Sequence, residues 1–405
     1  MSAPKPSRTL VSRTGALILF LIYTAFIVLG VPDSMFGVAW PTMRNDFGVP
    51  IDAMGMAMVS GLAGYLLSSF LSGRLITKLS IRGLQILSCA LFGAALIADC
   101  LVPAWIWFAL TSLALGFGAG GIDAGLNTYV ATHFGARQMH WLHACYGVGV
   151  TLGPLFMTLA LNRLDGWRPA YLAVGFFQLG VAAVFVFSAP LWNRFHLAGR
   201  PGQEKKLTDY DTPLLKTLAH LPTWLGMTLF FLYSGAEFSL GFWAYSLLTE
   251  SRGVAPTAAG IVTGGYWGMF TVGRILSGFF AKHVPLNRMV LGCLALALVG
   301  SLLLWMNIDP AWSLSGIVLT GFAIAPVFPS LVSSTQNRVG RHHASNSIGM
   351  QMSAAGAGSA FISTLLGLLA RRVSLEAIPA SLTVLWATVL FLFIASIRRE
   401  RPARA

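Results

Sequence analysis

The chain has 405 residues, of which 56% are apolar and only 10% charged, and its formal net charge is +13. A soluble domain of that composition could not cover its surface with polar groups, so water is not its main solvent. Its basic residues form no nucleic-acid patch either, because they are spread over the segments between long apolar stretches.

Those stretches predict twelve membrane spans, over 15–43, 52–75, 83–101, 105–133, 140–162, 169–192, 220–249, 256–281, 288–307, 312–335, 345–370 and 378–397. Each is near or above the roughly 20 residues that cross a hydrocarbon core of about 30 Å. Residues 86–98 and 289–306 are apolar on nearly every face, whereas barrel strands alternate, so the expected class is an all-α membrane protein. The first stretch is too long for a signal-peptide core and has no small-residue cleavage pattern behind it; it is expected to stay in the mature chain.

Span 1 carries Asp33 beside Pro32, and span 2 ends in Ser72-Gly73 before a basic loop. Span 4 holds a glycine-rich run from Gly116 to Gly125 around Asp123, with Asn127 one turn further on the same face. Small residues at four-residue spacing, Gly116 with Gly120 and Gly121 with Gly125, let helices approach closely and open room for a ligand. His143 lies near the cytoplasmic start of span 5, where an interfacial histidine is the simpler reading than a proton relay.

A polar connector, 193–220, follows span 6 and divides the chain into 1–192, the connector, and 221–405, with six spans on each side. Span 7 brings Glu237, then Trp243 and Tyr245; span 8 brings Tyr266, Trp267 and Arg274, the last read as a base snorkelling or capping near the cytoplasmic side. At an offset of 204, Asp33 meets Glu237 and Gly37 meets Gly241; at 205, Ser72-Gly73 meets Ser277-Gly278. The pattern is that of parallel duplicated halves, common in secondary transporters.

With the N-terminus inside, 20 of the 27 basic residues fall in inside segments and six outside, with Arg274 within span 8. That bias places both termini in the cytoplasm of a cell whose inner or plasma membrane holds the protein. Cys89, Cys100, Cys145 and Cys293 form no CxxC pair, so neither a disulfide framework nor a zinc site is expected. No metal or other cofactor is implied.

Three acids lie deep in spans: Asp33, Asp123 and Glu237, each about 15 Å along its helix from either end. Burying a carboxyl there costs several kcal/mol at about mid-membrane depth, which makes each a functional candidate. Arg274 is the one deep base and cannot neutralise all three. An acid that gains and loses a proton in mid-membrane is what proton coupling requires. Aromatic faces beside acids and amides suit a sugar ring, and serve a drug or amphiphile as well.

After span 2, the run Gly73-Arg-Leu75-Ile-Thr77-Lys78-Leu-Ser80-Ile-Arg82 resembles the loop signature of the major facilitator superfamily, with Thr77 where an acid is usual and Ser80 for a glycine. Within it, Asp33, Gly120-Gly-Ile-Asp123-Ala-Gly-Leu-Asn127, Leu142-His143-Ala-Cys-Tyr-Gly147, Tyr233-Ser-Gly235-Ala-Glu237, Gly265-Tyr-Trp267 with Gly273-Arg274, and Gly321 to Pro329 are similar to the fucose-permease-like branch of sugar transporters. The resemblance implies two pseudo-symmetric six-helix bundles, with spans 1, 4, 7 and 10 lining a central cavity. It also implies that Asp33 and Asp123 occupy the branch's two essential carboxyl positions, and that Glu237 stands where an amide is usual, so the proton site is shifted or doubled.

The expected function is proton-coupled symport of a small polar solute, a sugar, by alternating access; the alternative is a proton-driven antiporter that expels a drug or metabolite. Asp123 is the expected proton carrier, with Asp33 and Glu237 as ligand or second proton sites. Asn127, Trp243, Tyr266, Trp267 and Gln351 are the expected solute contacts, and Gly73, Lys78, Arg82, His143 and Arg274 the gating candidates. The expected partners are the solute, protons and the bilayer, with no nucleic acid and with a monomer as the working unit. An enzyme is not expected, since HExxH, GxSxG and paired ligand sets at depth are missing from the sequence.

Overall fold

A computed structural model describes residues 8–50, 53–164, 166–192, 207, 210–281 and 283–398. Most of the expected connector, together with Lys5, Arg194, Arg200, Lys205, Lys206, Lys282, Arg399, Arg401 and Arg404, lies outside the described residues. The described chain is helical, and no strand occurs among the described residues.

In chain order the helices are α1 (Arg8–Phe47), α2 (Met54–Leu101), α3 (Trp105–His133), α4 (Ala136–Arg163), α5 (Arg168–Phe187), α6 (Leu214–Leu218), α7 (Leu221–Ser246), α8 (Pro256–Phe280), α9 (Leu286–Met306), α10 (Pro310–Ile324), α11 (Val327–Ser333), α12 (Thr335–Val339), α13 (Arg341–Arg372) and α14 (Ala377–Arg398). Ten helical segments among the described residues are long and apolar enough to cross a membrane. One of them, the 48-residue α2, holds both the second and third expected spans. The 25-residue α8, whose hydropathy is lowered by its many glycines and polar or aromatic residues, is the expected eighth.

Ser80 separates the two halves of α2 with φ 63° and ψ 164°, a region that glycine occupies with little strain and other residues rarely visit. Ser80, one of the two residues that depart from the loop signature, thus sits in a conformation that glycine adopts most easily. Its hydroxyl accepts from the Gly83 amide at 3.2 Å and so caps the helical half that follows. Gly73 is buried, whereas Lys78 is exposed and Arg82 half-buried, near this corner.

The expected tenth span is not one helix. α10 starts at Pro310 on the cap of Asp309, whose carboxylate accepts from Ala311 and Trp312 amides at 2.7 and 3.2 Å, and it ends before Pro326. Proline offers no amide to continue the ladder, so the chain restarts as α11. At the end of α7 the last turns of the expected seventh span widen into a π-helix, Leu247–Ser251.

The chain divides into two compact units, Met1–Thr132 with Cys145–Asp211, and His133–Ala144 with Thr212–Ala405. The first nine residues of α4 therefore group with the second unit, which the even six-and-six division did not anticipate. In the first unit α5 packs against α1 and α2; in the second, α13 lies along α7, and α10 along α8 and α9. Close approach in the first unit depends on glycine: a Cβ on Gly149 of α4 would stand 2.0 Å from the Ile27 carbonyl of α1.

Each unit is tied between its first and last spans by an ion pair, with acid and base exchanged. In the first, Asp46 accepts from Arg168 at 2.7 Å and from the Trp167 indole at 2.9 Å. In the second, Arg252 gives two hydrogen bonds to Glu376, at 2.7 and 2.9 Å, and others to Ser313 and the Leu304 carbonyl. These hydrogen bonds from Arg252, with one from Ser251, hold the Glu376 carboxyl below its ordinary range.

Candidate functional site

In the first unit the deep carboxyls are held by hydroxyl and amide donors. Asp33, on α1 just after Pro32, is exposed, and its Oδ2 accepts from the Tyr146 hydroxyl of α4 at 2.8 Å. Asp123, on α3, accepts from the Tyr65 hydroxyl of α2 at 2.5 Å on Oδ2 and from the Asn127 amide at 2.7 Å on Oδ1. Tyr65 lies within electrostatic reach of Asp33 and Tyr146 as well, so two tyrosine–carboxyl pairs form one cluster across α1 to α4.

Sequence spacing foresaw the Asn127–Asp123 contact, but it placed Asn127 against the solute. Asn127 is fully buried, and its amide also bonds the Asp123 carbonyl at 3.0 Å. The glycine run does bring helices together, yet it leaves no room for a ligand: the Ser68, Ser69, Ser88 and Gln85 side chains of α2 fill the spaces beside Gly120, Gly121 and Gly125.

The second unit treats its acid differently. Glu237 on α7 is 4% exposed, and the Arg274 guanidinium of α8 lies 4.0 Å from its Oε1. Arg274 does not snorkel. It is 5% exposed, stands 4.0 Å over the Phe270 ring and donates to the His143 carbonyl at 3.4 Å. A solvated arginine head would need open water, and the carboxylate and aromatic face replace it here. Tyr266 donates its hydroxyl to the Glu237 carbonyl at 2.8 Å, and Tyr233 lies beside the carboxyl while donating to the Ile324 carbonyl at 2.9 Å.

His143 is buried against the Phe328 ring, 5.1 Å between centroids, and not at an interface. Its neighbour one turn back, His140, bonds Ser277 of α8 and Ser330 of α11. The sequence reading passed over His140, although it shares a face with His143.

Trp267 is half-buried in an aromatic wall with Tyr266, Phe238 and Phe270, at centroid distances of 4.9, 5.8 and 5.7 Å. Its ring fits over Gly241, where a Cβ would meet it at 2.3 Å. Two other expected contacts lie elsewhere. Trp243 is a wedge between α7 and α13, its indole donating to the Ser363 carbonyl at 3.0 Å. Gln351 is fully buried within the second unit, accepting from Thr335 at 2.8 Å and packing on Gly226.

One more buried acid is present. Asp99, in the last turn of α2, is fully buried and accepts from the Thr111 hydroxyl. Its nearness to a span end concealed it in the sequence. All four cysteines are free, and among the described residues no group of three His, Cys, Asp or Glu side chains could hold a metal ion.

The family model described as Major Facilitator Superfamily matches residues 22–364. Among curated relatives, Bypass of stop codon protein 6 of Saccharomyces cerevisiae is 23% identical over 384 residues, covering 87% of this chain and 77% of that protein. The Sodium-dependent glucose transporter 1A of Mus musculus is 24% identical over 359 residues, covering 77% and 80%. Among solved structures, the E. coli fucose:proton symporter FucP superposes with a TM-score of 0.71 at 14% identity, over 94% of this chain and 98% of that one.

Proposed function

Since the chain belongs to the Major Facilitator Superfamily and is a transporter, we propose that it couples a proton to the uptake of a small polar solute, a sugar, by alternating access. The observation that carries this is the contrast between the carboxyls. Glu237 has a guanidinium beside it, whereas the donors to Asp33 and Asp123 are tyrosine hydroxyls and an amide. Donors of that kind can stay in place whether the acid is charged or neutral overall, so these two carboxyls suit a proton cycle and Glu237 suits a fixed charge.

The sugar reading is supported by the aromatic wall around Trp267, by the glucose in the name of the mouse relative and by the fucose in that of the E. coli symporter. Both termini lie in the cytoplasm of a cell membrane, by the distribution of basic residues. The same wall supports a second reading, expulsion of an apolar compound in exchange for protons.

Purified protein in proteoliposomes tests both. Under an inward proton gradient, a labelled hexose or deoxyhexose accumulates and the lumen acidifies, while the gradient alone without sugar gives little flux. A sodium gradient is the control that the name of the mouse relative demands. Sugar accumulation driven by sodium at uniform pH would replace the proton in this reading, and gradient-driven efflux of apolar dyes without sugar uptake would replace the solute and the direction.

A further inference from the structure

Both oxygens of Asp123 are occupied by donors, Tyr65 on Oδ2 and Asn127 on Oδ1. An ionised carboxylate accepts at both oxygens, whereas a protonated carboxyl must carry a hydrogen on one of them. With the Tyr65 hydroxyl and the Asn127 amide both donating, the arrangement suits the ionised acid. A proton bound at Oδ2 would turn that oxygen into a donor, so the Tyr65 hydroxyl would have to rotate from donor to acceptor and the charge-assisted bond would become a neutral one.

Tyr65 belongs to α2 and Asp123 to α3, so this hydrogen bond is also a tie between helices. Gly120, less than one turn before Asp123, lets α3 approach α2 until a Cβ there would stand 2.3 Å from the Ser68 hydroxyl and 2.5 Å from the Tyr65 carbonyl. That close approach brings the Tyr65 turn of α2 beside the Asp123 turn of α3.

We propose that Tyr65 is the positioning residue of the proton step: it donates to Asp123 while the acid is ionised, and the arriving proton turns that charge-assisted bond into a weaker neutral one and so loosens the tie between α2 and α3. This rests on the reading of Asp123 as the proton carrier. Among the groups facing the pair are Asp33 from α1 and Tyr146 from α4, both in electrostatic reach of Tyr65, with the neutral Asn127 from α3 itself. Asp33 adds a negative charge that favours a proton on one of the two acids, and Tyr146 stays bonded to Asp33 as the Tyr65 bond weakens.

The experiment is the pH profile of sugar uptake in proteoliposomes, with counterflow exchange at fixed pH beside it. Tyr65→Phe keeps the ring and removes the donor to the carboxylate. A hydrogen bond to a charged group is worth enough that its loss moves the half-maximal pH upward by about one to two units. Gly120→Ala, which displaces Tyr65 without deleting its hydroxyl, is the second variant and shifts the profile the same way. A wild-type profile in either folded variant overturns the role of Tyr65, even where Asp123 is the carrier. Wild-type uptake that ignores pH altogether refutes the proton reading first, and the role of Tyr65 with it.

Discussion

Deleting the guanidinium at position 274 is the perturbation whose cost can be worked most directly from the structure. Arg274 and Glu237 are each about 5% exposed and stand 4.0 Å apart. At an effective dielectric constant of about 20, that separation gives an attraction of roughly 4 kcal/mol, and breaking a buried pair on one side costs about 3–5 kcal/mol. Arg274→Gln leaves a carboxylate that has lost its ion and cannot reach water. Arg274→Gln with Glu237→Gln removes both charges together and avoids that penalty. At roughly 2 °C per kcal/mol for a unit of this size, the single variant melts about 6–10 °C below wild type in detergent, and the double variant regains more than half of the loss. Thermal unfolding of the four proteins in one double-mutant cycle measures the coupling. Equal melting of the single and double variants would refute the ion pair as a stabilising contact.

Other consequences are as specific. Ser80→Gly relieves a backbone strain of about 1–3 kcal/mol and gives up only a few tenths of a kcal/mol in capping, so it raises the melting temperature, and Ser80→Ala lowers it. Because Glu376 is held below its ordinary value of 4.5, its contribution is full above that value and fades as the pH falls through the lowered one. Melting of wild type between pH 6 and pH 3 therefore shows an acid-dependent loss that Glu376→Gln lacks. Trp267→Ala removes the centre of the aromatic wall and raises the KM for sugar about 3–10-fold, read from initial uptake rates, while folding is retained.

The twelve spans were legible because a bilayer enforces length and apolarity on each one separately, and hydropathy reads both. Breaks within spans were less legible. Pro326 ends α10 by a local rule, but residues 312–335 stay apolar across the break, so hydropathy ran on. Ser80 could be seen as a departure from a signature, though its left-handed backbone could not. Depth in a span singled out Asp33, Asp123 and Glu237, and one-turn spacing singled out Asn127.

Partners on other helices carried no such mark. Arg274 follows Glu237 by 37 residues and Tyr146 follows Asp33 by 113, distances that only packing closes. For the same reason Arg274 was read as a snorkelling base and Gln351 as a solute contact. A long polar side chain in an apolar run looks alike in sequence whether it reaches water, a solute or a buried acid.

The central claim is that the carboxyl of Asp123 carries the coupling proton, and one comparison tests it most directly. Wild type and Asp123→Asn are reconstituted side by side, and labelled sugar is followed both in counterflow without a gradient and in uptake against its own gradient under an imposed proton gradient. Asp123→Asn is expected to exchange sugar at a rate close to wild type and to fail to accumulate it. Accumulation by Asp123→Asn at the wild-type level, with exchange equally intact, would contradict the account.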